Sequence, residues 1–144
     1  MFKSKTFDNL TTTELYEIIK SRTEVFLLEQ SIVCQDLDDM DYKSLHCFIE
    51  ENGRVIAYLR AFMEDSETGT VKVGRVLTLD HGKGIGRELM KKSLEEIKKT
   101  FNCSKIHINS QKHAVGFYEK FGLKTCSDEF LEEGVVHISM EYTI

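Results

Sequence analysis

Three glycines set two apart, Gly82, Gly84 and Gly86, constrain this chain more than any other feature. They lie in Leu79-Asp80-His81-Gly82-Lys83-Gly84-Ile85-Gly86-Arg87-Glu88-Leu89. A β-branched run, Val71 to Thr78, leads into them and predicts a strand. Ile85, Leu89, Leu94, Ile97 and Phe101 lead out at steps of three to five, which predicts a helix with one apolar face. The glycines therefore stand where a strand hands over to a helix. There the backbone can take positive φ and another group can come close to the main chain. The first helical turn leaves its N–H groups unpaired, with the positive end of the helix dipole behind them. Those are the parts of a phosphate cradle. Lys83 and Arg87 sit at that same end, where a cation is disfavoured by roughly 0.3–1 kcal/mol unless an anion joins it. The plainer alternative is a glycine-rich turn whose basic side chains face water.

Two phosphate loops can be excluded. A Walker A loop needs four residues between its first glycine and Gly-Lys-Ser/Thr, which nothing here supplies. The dinucleotide fingerprint needs a third glycine three residues after the second, and Arg87 stands there.

With 144 residues the chain predicts one domain, 1–144. A net charge of −5 argues against a general nucleic-acid binder. No apolar run approaches a membrane span and no signal-peptide core follows Met1, so a cytoplasmic protein is expected. Cys34, Cys47, Cys103 and Cys126 are widely spaced and read as reduced thiols. No His or Cys pair has zinc spacing, so no metal site is expected.

Thr11 with Glu14 forms a capping box that opens a first helix, and Arg22, Glu24 and Glu29 read as its solvated flank. Gln35-Asp36-Leu37-Asp38-Asp39-Met40-Asp41 lacks the alternation and glycine of a calcium loop; it reads as an acidic loop able to attract a cationic substrate. Asn52-Gly53 between Leu45–Glu51 and Arg54–Phe62 predicts a type I′ hairpin. Glu88 with Lys92 and Glu95 with Lys99 are i,i+4 pairs. Met63 to Gly69 reads as a loop, Ile106 to Asn109 as a strand, His113 to Phe121 as a short helix ended by Gly122, Asp128 to Gly134 as an acidic turn, and Val135 to Tyr142 as a last strand. The order β-α-β-β-β-α-β-α-β predicts a mixed α/β fold, antiparallel in front with a βαβ unit behind.

The glycine stretch resembles the pyrophosphate loop of the GNAT acetyltransferases, Arg/Gln-x-x-Gly-x-Gly/Ala, through Gly84 and Gly86, with His81 where the family usually has Arg or Gln. Gln111 to Leu123, containing Ala114, Phe117-Tyr118 and Gly122, resembles a second GNAT signature, with Gln111 in place of the usual Asn and Leu123 in place of Phe. Arg22 to Phe26, Glu29-Gln30, Gln35 to Asp38, His46, Ala57 to Arg60, Gly74-Arg75-Val76, Gln111 with His113, and Val136 to Met140 are similar to the ElaA-like branch, over nearly the whole chain.

The resemblance implies the acyl-CoA N-acyltransferase fold, a mixed central sheet flanked by helices. It implies transfer of acetyl from acetyl-CoA to a primary amine, a small molecule or a peptide. Cofactor contacts are expected from Gly82, Lys83, Gly84, Ile85, Gly86, Arg87 and Gln111, mainly through backbone amides, and an oxyanion N–H from Leu77, Thr78 or Leu79. Tyr118 takes the role of general acid to the leaving thiolate. Glu29, His46 and His137 are the expected acceptor-side residues, with Glu29, His46 or a water as base. A homodimer is compatible with the resemblance. The alternative is a non-catalytic CoA-binding sensor or interaction module of the same fold.

Overall fold

A computed structural model describes all 144 residues. Strand β1 (Phe2–Thr6) precedes helix α1 (Thr12–Arg22), which runs directly into a π-helical stretch, Thr23–Glu29. The chain continues through β2 (Leu45–Glu51), β3 (Arg54–Asp65), β4 (Thr70–Thr78), α2 (Ile85–Thr100), β5 (Lys105–Gln111), α3 (Val115–Glu119), β6 (Lys124–Thr125), β7 (Phe130–Glu132) and β8 (Val135–Thr143). All strands join one sheet in the order β1-β2-β3-β4-β5-β8-β6, with β7 also paired to β8. Its antiparallel front half and the single parallel pair, β4 with β5 around α2, match the expected order.

Local chemistry explains the element ends. Thr11 Oγ1 accepts from the Glu14 amide at 3.0 Å while Glu14 Oε1 accepts from the Thr11 amide at 2.8 Å, a complete capping box. Asn52 and Gly53 both take positive φ, 53° and 77°, as a type I′ turn requires. Among the differences from expectation are two boundaries and one side-chain pair. Strand β3 runs on to Asp65, because its partner β4 begins at Thr70 and pairs with it there. The acidic segment Asp128–Gly134 contains β7, and the turn itself is Glu133-Gly134. Lys99 reaches Glu96 at 3.7 Å rather than Glu95, whereas Lys92 meets Glu88 at 3.0 Å as expected.

The two faces of the sheet are covered differently. On one face Leu89, Met90, Leu94 and Ile97 of α2, with Tyr118 of α3, pack on Cys47, Leu59, Val73, Ile108 and Met140. On the other face Ile18 and Val25 cover Phe48, Val55, Tyr58 and Leu77. That second buried cluster includes no residue of β5 or β8. Those strands carry His107, Asn109, Gln111, His137 and Ser139 at alternate positions there, so a polar strip lies beside the α1 layer. No helix is long and apolar enough to cross a membrane.

Candidate active site

Strands β4 and β5 pair only from Thr70 with Lys105 to Val73 with Ile108. Beyond that point β4 stays on β3 and β5 stays on β8, so two strand edges diverge in the middle of the sheet. The cause is a bulge in β4. Arg60 opposes Gly74 but Tyr58 opposes Leu77, so one extra residue lies on β4. Arg75 stands in the bulge at φ 55°, a left-handed conformation that costs a non-glycine residue of order 1 kcal/mol or more. The result is a slot whose walls present unpaired backbone groups, able to bond an extended ligand as a strand would. Leu79 donates its N–H to Ile56 O at 2.8 Å. Alternation along the ladder then turns the Leu77 amide to β3 as well. Of Leu77, Thr78 and Leu79, it is then Thr78 whose N–H is turned away from β3 toward the slot, which narrows the expected oxyanion donor to one of the three.

The glycine loop stands at the open end of this slot. Gly82 and Gly84 have φ of 81° and 74°, and a side chain at either would meet nothing, so these glycines serve conformation. Gly86 serves packing. A Cβ there would lie 3.4 Å from the Phe117 ring and 3.5 Å from Thr78 Cγ2, which brings α3, the start of α2 and the end of β4 together. Gly84 caps α2 without a side-chain bond, and the first amide of the helix with an acceptor is Glu88, bonded to Gly84 O at 3.1 Å. The Ile85, Gly86 and Arg87 amides therefore point outward unpaired. Lys83 is exposed and only 3.7 Å from Asp80, and Arg87 is exposed. These residues fit a pyrophosphate.

The tip of the π-helical stretch reaches both sides of the slot. Gln30 Oε1 accepts from Gln111 Nε2 at 3.0 Å on the β5 side. Glu29 Oε1 lies 3.5 Å from His81 Nε2 on the loop after β4, with both side chains exposed. A π-helical turn tends to occur at functional sites, and here it carries two adjacent side chains to opposite walls. Tyr118 is 7% exposed, and burial alone pushes its hydroxyl pKa well above that of a free tyrosine.

His46 lies elsewhere. Its Nε2–H donates to Asp41 O at 2.9 Å, so its Nδ1 accepts from the Tyr58 hydroxyl at 2.7 Å. Burial lowers its pKa, and both nitrogens are engaged within the protein. It is a core histidine, not an acceptor-side one. Around it the acidic loop meets three arginines. Arg22, 1% exposed, bonds Asp41 at 2.7 Å and Asp36 at 2.9 Å. Arg60 forks onto Asp38 at 2.6 and 2.7 Å and reaches Asp41 at 3.1 Å. Arg75 donates to Asp36 O at 2.8 Å, and its Nε stands 2.9 Å from Asp36 Oδ1 but off the line of the N–H. Arg22 is thus no solvated flank, and Asp36, Asp38 and Asp41 are neutralised rather than held out to a substrate. The cluster also grips the bulge residue itself.

His137 takes the opposite position. It is the β8 partner of Gln111 and shares its sheet face, so it stands one strand beyond the β5 wall of the slot. Its Nδ1–H donates to Val135 O at 2.7 Å, and its ring stacks on Phe130 with centroids 6.0 Å apart. Glu132 Oε2 lies 3.5 Å from Nε2. A polar chain runs on from there. Asn109 Nδ2 donates to Glu132 Oε1 at 3.2 Å, Asn109 Oδ1 accepts from Ser139 Oγ at 2.8 Å, and His107 bridges Asn109 and Glu64 at 2.9 and 2.8 Å. Asn109 and Glu132 carried no sequence signal, because alternating polar residues read as an ordinary solvent face, and Ser139 entered only within the family-like stretch Val136 to Met140. The bulge did carry one, an isolated glycine, Gly74, inside a strand pattern.

Four similarities bear on this arrangement. A UPF0039 protein of Schizosaccharomyces pombe is 38% identical over 143 residues, 96% of this chain and 94% of that protein. Protein ElaA of Escherichia coli is 30% identical over 135 residues, 91% and 88% of the two chains. The crystal structure of an acyl-CoA N-acyltransferase from Pseudomonas aeruginosa superposes with a TM-score of 0.91 at 28% identity, over 99% of both chains. The sequence profile of the acetyltransferase (GNAT) domain matches residues 9–144. With its bulged β4, splayed β5 and glycine cradle, the chain belongs to the GNAT acetyltransferase family, in the ElaA-like branch.

Proposed function

We propose that the chain transfers an acetyl group from acetyl-CoA to a primary amine, with Tyr118 as the acid that protonates the departing thiolate. The observation that carries this reading is the slot between β4 and β5, with unpaired strand edges along its walls and the unpaired Ile85, Gly86 and Arg87 amides at its mouth. A pyrophosphate fits those amides and the nearby Lys83 and Arg87, and an extended arm fits the edges. A GNAT acetyltransferase from Elizabethkingia anophelis, 15% identical with a TM-score of 0.68, has acetyl-CoA bound and shares the fold.

When bound, acetyl-CoA supplies a thioester carbonyl. The Thr78 N–H, aimed into the slot, would polarise its oxygen. Tyr118 keeps its proton at neutral pH, since burial disfavours its anion. An ordinary tyrosine and an ordinary thiol differ by about 1.5 pKa units, or about 2 kcal/mol against the transfer. A leaving thiolate desolvated on binding would be destabilised by burial as well, which would keep that gap small.

Thiol release from acetyl-CoA over a panel of primary amines tests the reading. Tyr118→Phe should bind CoA as the native protein does by calorimetry and lose about 10²–10⁴ in turnover. Native protein that binds CoA yet releases no thiol with any amine would be a binding module instead. A fall of less than threefold in Tyr118→Phe would assign the proton to another donor.

A further inference from the structure

The polar strip on β5, β7 and β8 is the one part of the sheet beside the slot that no apolar layer closes. Within it, His137 combines two properties that rarely meet in a structural histidine. Its side chain is 8% exposed, so the ring is fixed, clamped between Phe130 and the Val135 carbonyl. Yet only one nitrogen is engaged. A carbonyl can only accept, so Nδ1 carries the hydrogen and Nε2 of the neutral ring carries a lone pair. That lone pair makes no hydrogen bond within the protein; its nearest charged neighbour is Glu132 Oε2 at 3.5 Å. Glu132 is 44% exposed and is itself held by Asn109, which Ser139 and His107 steady in turn.

We propose that this strip is the acceptor site, in which Glu132 draws in the substrate's ammonium group and His137 Nε2 takes its proton. The inference rests on the acetyl-transfer reading and adds the base and the amine-recognising carboxylate to it. The amine enters as R–NH₃⁺ and gives one proton to Nε2. The freed nitrogen forms the C–N bond to the acetyl carbon as the C–S bond breaks. The nitrogen's second proton passes to water, Tyr118 gives its hydroxyl proton to sulfur and regains one from water, and the imidazolium returns its own to water. The products are the N-acetyl amine and free CoA thiol, with one net proton released. Glu132 serves twice, facing first the ammonium and then the imidazolium. Two other charged pairs lie on the neighbouring elements. Lys112 is held by Glu129 at 2.8 Å, and His107 with Glu64 closes the far end of the chain.

Glu29, at the tip of the π-helical stretch, is the competing base, and the experiment sets the two against each other. Native protein, His137→Gln, Glu132→Gln and Glu29→Gln would be compared for thiol release with spermidine and with tyramine between pH 6 and 9.5, alongside CoA affinity by calorimetry. His137→Gln should bind CoA normally and lose about 10²-fold or more in kcat/KM at pH 7. That deficit should shrink as pH rises and the amine loses its proton unaided. Glu132→Gln should raise KM for both amines more than it lowers kcat. Long-range ¹H–¹⁵N spectra of the native protein should show the Nδ1–H tautomer of His137, and spermidine added with CoA should shift its Nε2 resonance. The proposal is overturned if His137→Gln stays within threefold of native at pH 7, if the large pH-dependent loss appears in Glu29→Gln instead, or if the ring is the Nε2–H tautomer. Native protein without turnover would overturn the acetyl-transfer reading and the base with it, whereas an active native enzyme with an equally active His137→Gln overturns the base alone.

Discussion

Two polar clusters flank the β4–β5 slot, built from much the same residue types, and they differ in what they leave over. Around Arg22 the partners close on each other. Asp36, Asp38 and Asp41 face Arg22, Arg60 and Arg75, and His46 has one nitrogen on a carbonyl and the other on the Tyr58 hydroxyl. Around His137 the chain of bonds ends on a nitrogen lone pair and a half-exposed carboxylate. Histidine and carboxylate content therefore says nothing about function by itself. The hydrogen-bond capacity left after the protein has satisfied its own groups is the informative quantity. The closed cluster is still connected to the site, because it holds Arg75 in the left-handed bulge that opens the slot.

The largest effect that could break this contrast is on stability. Asp41 accepts from both buried guanidinium groups, at 2.7 and 3.1 Å. Asp41→Asn leaves them short of one charge, and breaking a buried pair in this way costs roughly 3–5 kcal/mol. Ser139→Ala in the open cluster removes one partly buried hydrogen bond, about 1 kcal/mol. Urea unfolding of the two variants should differ by that margin. If Asp41→Asn loses under about 1 kcal/mol, the closed cluster is not the clamp described.

Titration is the next test. Burial works to raise the Glu14 pKa, but the Thr11 amide, Lys5 and Lys3 outweigh it and hold the carboxyl at about 2. Asp38 is held at about 2 chiefly by Arg60. Both lie below their unfolded values, so the unfolded chain takes up protons first as pH falls. Their stabilisation is complete above about pH 5 and is lost on the way down to about pH 2; it amounts to on the order of 3 kcal/mol for Glu14 and about 1 or less for the more exposed Asp38. His46, held below 6.5 by burial, has the same sign in a higher window. Stability should decline gently from about pH 7 and steeply below about pH 5. The upper slope should disappear in His46→Gln.

The features legible in the sequence were the ones fixed locally. The capping box, the Asn52-Gly53 turn, the amphipathic α2 and the strand–glycine–helix handover each follow from neighbours along the chain. The partners of Arg22 lie 14 to 19 residues away in a loop, and those of Arg60 and Arg75 are 19 to 39 residues distant, so no periodicity could announce them. Arg22 looked like a flank because a charged side chain is rarely buried, and it is buried here only because its partners come with it. His46 and His137 matched the same branch of the family equally well. Which atoms each nitrogen meets, and hence which of them is engaged, depends on tertiary structure alone.

The smallest expected effect concerns the acidic loop as an electrostatic attractor. Three of its four carboxylates are met by arginines, and Asp39, exposed and at φ 68°, is the one without an ion pair. A single exposed charge is screened within about 8–10 Å at ordinary ionic strength. Capture of a polyamine should therefore depend only weakly on salt, with kcat/KM for spermidine changing by less than about threefold between roughly 0.05 and 0.3 M salt. Asp39→Asn should leave that dependence as it was, while Glu132→Gln, in the open cluster, should flatten it. A tenfold or larger fall with salt that Asp39→Asn abolishes would mean that the loop keeps a long-range field despite its arginines. The contrast between a closed cluster and an open one would then fail on its electrostatic side, even with every hydrogen bond in place.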